Sequence, residues 1–290
     1  MTDLAKHIVD GAMFGSLYAL IALGYTMVYG VLRLINFAHG DVFMVGAYSG
    51  LFAAGWLGVD SAPAPWKTAA ILIYAMVVCM LLGLVIERVA YRPLRNAPRL
   101  TALITAIGVS LLLENGGQLL WSATPRSFPD LIPAGPARPF IVMGCALAMA
   151  VGLELFVKRT RTGRAMRAVS QDKDAASLMG IPVDRIISVT FAIGSALAAA
   201  AAVLYSSVNP SVNPTMGLLL GLKAFVAAVI GGIGSLPGAL MGGLILGLSE
   251  ELISAYGASS YRDAIAFTLL IVILVFRPSG LLGRGVAEKV

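Results

Sequence analysis

Apolar residues run through this chain in long blocks, and the polar positions between them are few and clustered. Segments 8–32, 42–58, 68–87, 101–122, 140–157, 186–208, 218–232, 238–253 and 263–276 are each mostly apolar. A bilayer crossing needs about 20 such residues. The pattern predicts an all-α fold, a polytopic membrane helical bundle with about 8–9 transmembrane segments. Several segments are short, and 218–253 reads either as two passes or as one interrupted, re-entrant element. One stretch breaks the pattern for longer than a turn. Residues 158–185 (KRTRTGRAMRAVSQDKDAASLMGIPVDR) carry seven Lys/Arg and no apolar run long enough to enter a bilayer. Their pattern predicts two short helices with something to dock against, within a single transmembrane domain spanning 1–290.

Charge orients the bundle. Loop 87–100 holds Arg88, Arg92, Arg95 and Arg99, and the tail after Phe276 holds Arg277, Arg284 and Lys289. With the 158–185 island, these three places take most of the chain's 21 Lys/Arg. Positive residues collect on the cytoplasmic side, so all three face inward. That favours two passes in 218–253 and puts the N-terminus outside. Residues 59–67 and 123–139 are then outer loops, rich in Pro and poor in Lys/Arg. They read as connections or as a stiff rim for a partner.

Composition agrees. Hydrophobic residues make up 58% and charged residues 12% of the chain, against about 25% charged in soluble domains. Mean hydropathy is +0.87. The +6 net charge lies in loops between apolar segments, so no nucleic-acid partner is expected. Cys79 and Cys145 sit singly in apolar stretches and read as packing residues. The first apolar segment is too long for a signal-peptide core and reads as a permanent membrane helix.

Two regions echo each other. RLINFAHGD (33–41) follows one apolar segment and leads into a helix with Gly46 and Gly50. GGIGSLPG (231–238) follows another and leads into a helix with Gly242, Gly243 and Gly247. The next helix ends in Tyr91-Arg92-Pro93 in the first case and Phe276-Arg277-Pro278 in the second. This reads as a parallel internal repeat, in which interrupted helices line a path through the membrane.

Within the island, Asp174, Ala175, Ala176 and Gly180 form a DAAxxxG pattern. Helical spacing puts Ala176 and Gly180 on one face, small enough for close approach by another protein, and Gly180 followed by Pro182 stops the helix. DAAxxxG resembles the EAA-type cytoplasmic loop of permeases in ABC importers, with Asp in place of the usual Glu and without the downstream Leu-Pro. Residues 15–48, 86–95, 100–115, 163–169 and 222–250, with the RPSGLLGR end, together resemble one family: the inner-membrane permease of branched-chain amino-acid ABC importers. The resemblance covers most of the chain. It implies a multi-pass subunit of the bacterial inner membrane, in contact with lipid, that works with a second, related (paralogous) permease subunit. It also implies two cytoplasmic ATP-binding subunits, a periplasmic substrate-binding protein, and 158–185 as the coupling loop. Amide and urea importers share the pattern, so the cargo is a branched-chain amino acid or a related small amide.

The chain carries no Walker A motif and no metal-ligand cluster. No catalytic role, metal or cofactor is expected. Candidate pathway residues are the polar and aromatic groups at membrane depth. Asn36 and His39 sit at the first interruption, where His39 either titrates or bonds a loop carbonyl. Tyr25 and Tyr29 share a helical face and either meet an apolar cargo or fill the helix interface. Glu114 shares a face with Gln118. Lys223 either pairs with Glu114 or snorkels. The alternative reading is a stand-alone channel or secondary carrier, with Glu114 or His39 as an ion ligand and no use for a docking loop.

Overall fold

The computed structural model describes residues 3–59, 64–95, 97–257 and 261–283. It is almost wholly helical: α1 (Asp3–Leu32), α2 (His39–Trp56), α3 (Pro65–Ile86), α4 (Arg99–Trp121), α5 (Arg138–Arg159), α6 (Arg161–Gln171), α7 (Lys173–Leu178), α8 (Val183–Val208), α9 (Met216–Gly231), α10 (Leu236–Ala255) and α11 (Arg262–Phe276). A π-helical turn (Glu87–Tyr91) and a 3-10 turn (Arg92–Leu94) extend α3. Two-residue strands β1 (Arg126–Ser127) and β2 (Ser211–Val212) pair antiparallel. α3, α5 and α10 each start with Pro in the first turn, where its fixed φ and missing N–H cost nothing.

Among the described residues, six helices are long and apolar enough to cross a membrane. The 218–253 stretch resolves as two helices broken at 232–235. α9, at 16 residues, spans only about 24 Å, less than a hydrocarbon core of about 30 Å.

Contacts sort the loops to two ends. At one, Tyr91 meets Asn36, Lys173 meets Leu32, Arg92 and Arg95 meet Asp184, and Leu281 meets Ile230. This is the basic end. At the other, β1 meets β2, Thr68 meets Leu131, and His7 meets Glu251. The outer loops are thus tied down: Phe128 N–H donates to Pro210 C=O at 2.7 Å, and Arg138 holds Asp130 and the Ser207 carbonyl. Arg284, Lys289 and residues 60–63 of the 59–67 loop lie outside the described residues.

The core is backbone-close. A Cβ on Gly15 of α1 would lie 2.8 Å from Leu244 Cα of α10, so these helices touch main chain to main chain, as small residues permit in lipid. α3, α4 and α5 instead expose large apolar side chains, among them Leu81, Ile104, Leu112 and Val151. Acyl chains accept such a surface; water does not.

The island forms two short helices. Thr160 Oγ1 caps α6 by accepting from Gly163 N–H at 3.0 Å, and Asp172 Oδ1 caps α7 by accepting from Asp174 and Ala175 N–H at 2.9 Å. Gly163, Met166 and Val169 form the buried stripe of α6. Gly180 stops α7, the second helix, in the left-handed region at φ 78°.

Candidate functional site

The first helix break carries most of the polar residues singled out from sequence. α1 ends at Arg33, a non-glycine residue at φ 57°, a conformation that costs free energy and needs outside support. Asn36, buried, accepts a hydrogen bond from Tyr91 Oη at 2.9 Å. His39, also buried, stands edge-on to Tyr25 with ring centroids 4.6 Å apart. Gly24 leaves the room it needs, since a Cβ there would strike the imidazole. Tyr25, Tyr29, Ile35, Phe225, Ala228 and Ile233 line a slot of about 10 Å³, the space of one water. So Tyr25 and His39 come together, Asn36 acts as a brace, and Tyr29 lines a narrow slot.

Glu114 and Lys223 do not join them. Glu114 lies half-buried on α4, on the side where Ser110 Oγ donates to the buried Asp41 carboxylate of α2. Asp41 went unnoticed in the sequence because it closes a polar motif, although an acid at membrane depth is itself a signal. Lys223 pairs neither with Glu114 nor with an interface. Its Nζ lies 3.0 Å from Glu250 Oε1 and 2.7 Å from Asp263 Oδ1. The geometry favours these partners because α9 packs beside α10 and α11, away from α4.

Glu250 is fully buried and anchors a network. It accepts from Tyr18 Oη at 2.9 Å and from Arg262 Nε at 3.1 Å. Above it a cavity of about 550 Å³ opens at the end opposite the basic one. Its walls include Phe14, Tyr18, Tyr205, Leu220, Lys223 and Arg262. The Glu250-Glu251 pair inside apolar segment 238–253 was the sequence signal for this network. Its partners lie on α1, α9 and α11, which no spacing rule brings together.

At the basic end, Arg95 bridges Glu87 and Asp184, Arg92 bonds Asp184 at 2.8 Å, and Ser188 Oγ donates to Glu87 Oε2 at 2.7 Å. The end of α3 is thereby latched to the start of α8. Lys173 Nζ, at the head of α7, donates to the Leu32 carbonyl at 3.3 Å. Burial chiefly, with Arg95 and Arg33 nearby, holds the Lys173 ammonium below its ordinary pKa. In the DAAxxxG motif, Asp174, Ala175 and Gly180 are exposed, but Ala176 is buried against the body of the protein. Ala176 and Gly180 therefore do not share one free face. The free tip of α7 is instead Leu178 and Met179, 89% and 82% exposed.

A family model described as branched-chain amino acid transport system / permease component matches residues 7–274. The chain belongs to this family. It is 43% identical over 98% of its length to the high-affinity branched-chain amino acid transport system permease protein BraD of Pseudomonas aeruginosa, covering 97% of that protein. It is likewise 43% identical, over the same shares, to LivH of Escherichia coli K12, a permease protein of the same description. Among solved structures, PsaBC from Streptococcus pneumoniae in complex with Fab aligns with a TM-score of 0.51 at 15% identity, covering 96% of this chain and 94% of that one; this likeness speaks to fold alone. As a family member the chain is a membrane-embedded permease component, not itself an enzyme. Its two helix breaks and the α6–α7 element lie within the matched residues.

Proposed function

We propose that this chain is one membrane-spanning permease subunit of an ATP-driven ABC importer in the bacterial inner membrane, and that its cargo is leucine, isoleucine or valine. The cargo rests on the printed descriptions of the relatives. The basic end faces the cytoplasm, as charge placement requires. A second permease subunit, two cytoplasmic ATP-binding subunits and a periplasmic binding protein complete the machine.

One contact carries the mechanism: Lys173 of α7 grips the carbonyl that ends α1, directly before the first helix break. The exposed Leu178–Met179 tip is the part of α7 an ATP-binding subunit would seat. Closure of the ATP-binding pair then displaces α7, and Lys173 passes that displacement to the break. The open cavity at the periplasmic end and the water-sized slot at the basic end fit an outward-facing stage of alternating access.

Purification in mild detergent from the native membrane, with mass spectrometry of what copurifies, tests the assembly. An ATP-binding protein and a second permease are expected. A chain that emerges alone and passes solute unaided would mean a stand-alone carrier. Gly180→Arg is expected to abolish ATP-driven uptake, because the position is exposed at φ 78° and next to the tip. Normal uptake with full ATPase association would remove α7 from the coupling role.

A further inference from the structure

We propose that the cavity above Glu250 binds a zwitterionic α-amino acid with an apolar side chain, its carboxylate on Lys223 and Arg262 and its ammonium on Asp263. This rests on the permease reading and assigns to this subunit a selective site of its own for the cargo. The argument begins with an asymmetry in how Lys223 is held. On one side stands Glu250, with no exposure, its carboxylate accepting hydrogen bonds from Tyr18 and Arg262 and lying 3.0 Å from Lys223 Nζ. That side is fixed, because breaking a buried pair leaves a charge uncompensated. On the other side stands Asp263, whose side chain is 53% exposed. A pair with one partner open to solvent is the more exchangeable of the two.

A carboxylate entering the cavity meets Lys223 in its wall, in competition with Asp263, which pairs with Lys223 at 2.7 Å but is not itself a wall residue. It also meets Arg262, which spends only Nε on Glu250; its terminal nitrogens make no hydrogen bond among the described residues. The guanidinium stands over the Phe14 ring at 5.3 Å, a cation–π contact that orients its fork. Asp263, displaced from Lys223, is then available to an ammonium. One internal ion pair gives way to two ligand pairs, and no charge is left unpaired. Phe14, Tyr205 and Leu220 supply an apolar wall for the side chain. At about 550 Å³ the cavity lies within the usual range of about 300–1,000 Å³ for small-molecule sites. A neutral amide or urea offers neither charge and leaves the Lys223–Asp263 pair in place. The site therefore selects between the two cargo classes that the sequence left open.

The test is binding of tritiated L-leucine to the purified full chain in lipid nanodiscs, with leucinamide (no carboxylate) and isocaproate (no ammonium) as competitors. Both are expected to compete about tenfold or more worse than leucine, the scale of one lost charge-assisted hydrogen bond. Arg262→Gln should weaken leucine binding about tenfold. Asp263→Asn, at an exposed position that folding tolerates, should bring leucine and isocaproate together while leucinamide stays poor. Absence of leucine binding, equal competition by all three, or an unchanged leucine–isocaproate gap in Asp263→Asn overturns the site. A parallel uptake assay in cells with and without the chain separates the two readings. Leucine uptake that needs the chain, beside a failed binding test, removes the site and leaves the permease; uptake indifferent to the chain removes the permease reading itself.

Discussion

The two helix breaks, 33–38 and 232–235, occupy matching places in the chain and are built by different means. Each follows a helix that runs to the basic end, and each is met by the segment that ends the third helix of its set: Tyr91 at the first, Leu281 and Leu282 at the second. They also lie side by side, since a Cβ on Gly30 would come within 3.9 Å of Gly234 Cα. The second break is closed by backbone. Leu281 and Leu282 N–H donate to Ile230 and Gly231 C=O at 2.9 Å, Ser235 Oγ caps α10, and Gly232 and Gly234 take φ of 102° and 96°. The first is closed by side chains, those of Asn36, Tyr91 and Lys173. Backbone closure makes a fixed joint. Side-chain closure makes one that a neighbouring element can reset, and the first break is the one that α7 touches.

Four substitutions sharpen that contrast, taken from the largest expected loss of stability to the smallest. Gly232→Val places a β-branched residue at φ 102° and drives its Cβ into Gly283 main chain. A cost of several kcal/mol is expected for strain and overlap together, about 1–3 kcal/mol each, so little monodisperse protein should survive size-exclusion chromatography. Tyr91→Phe leaves the buried Asn36 carbonyl without its donor, at about 1–3 kcal/mol, read as a lower Tm in a detergent thermal-shift assay. Ser235→Ala removes an N-cap, at about 1 kcal/mol, with uptake otherwise intact. Lys173→Met should barely move Tm, because it removes one half-exposed hydrogen bond, yet it should uncouple ATP hydrolysis from uptake. A Lys173→Met protein that transports normally would make the first break as passive as the second.

Much of this fold is legible from hydropathy alone. The breaks, the two passes in 218–253 and the paired short helices of 158–185 follow from where apolar runs stop and from Gly, Pro and Asp at their ends. The site is less legible. His39 and Tyr25 lie on either side of the first break, so one short connection brings them together. Lys223 reads from sequence as a partner of Glu114 or a snorkelling residue, yet its true partners depend on α9 packing beside α10 and α11. Ala176 was placed on a free face by helical periodicity alone. Periodicity fixes which residues share a face and says nothing about what that face meets.

The glycine contact between α1 and α10 has a mechanical consequence. With main chain against main chain at Gly15 and Leu244, no side chain is available to absorb relative sliding, so the pair must tilt as one stiff rod. Its lower tip is the Leu32 carbonyl held by Lys173, and its upper reach bears Phe14 and Tyr18 in the cavity wall, with Glu250 bonded to Tyr18. Tyr18 and Leu32 are separated by about 21 Å of helix. A small push at that tip therefore arrives at the cavity above Glu250 as a change in shape, with no relay of rearranging side chains between.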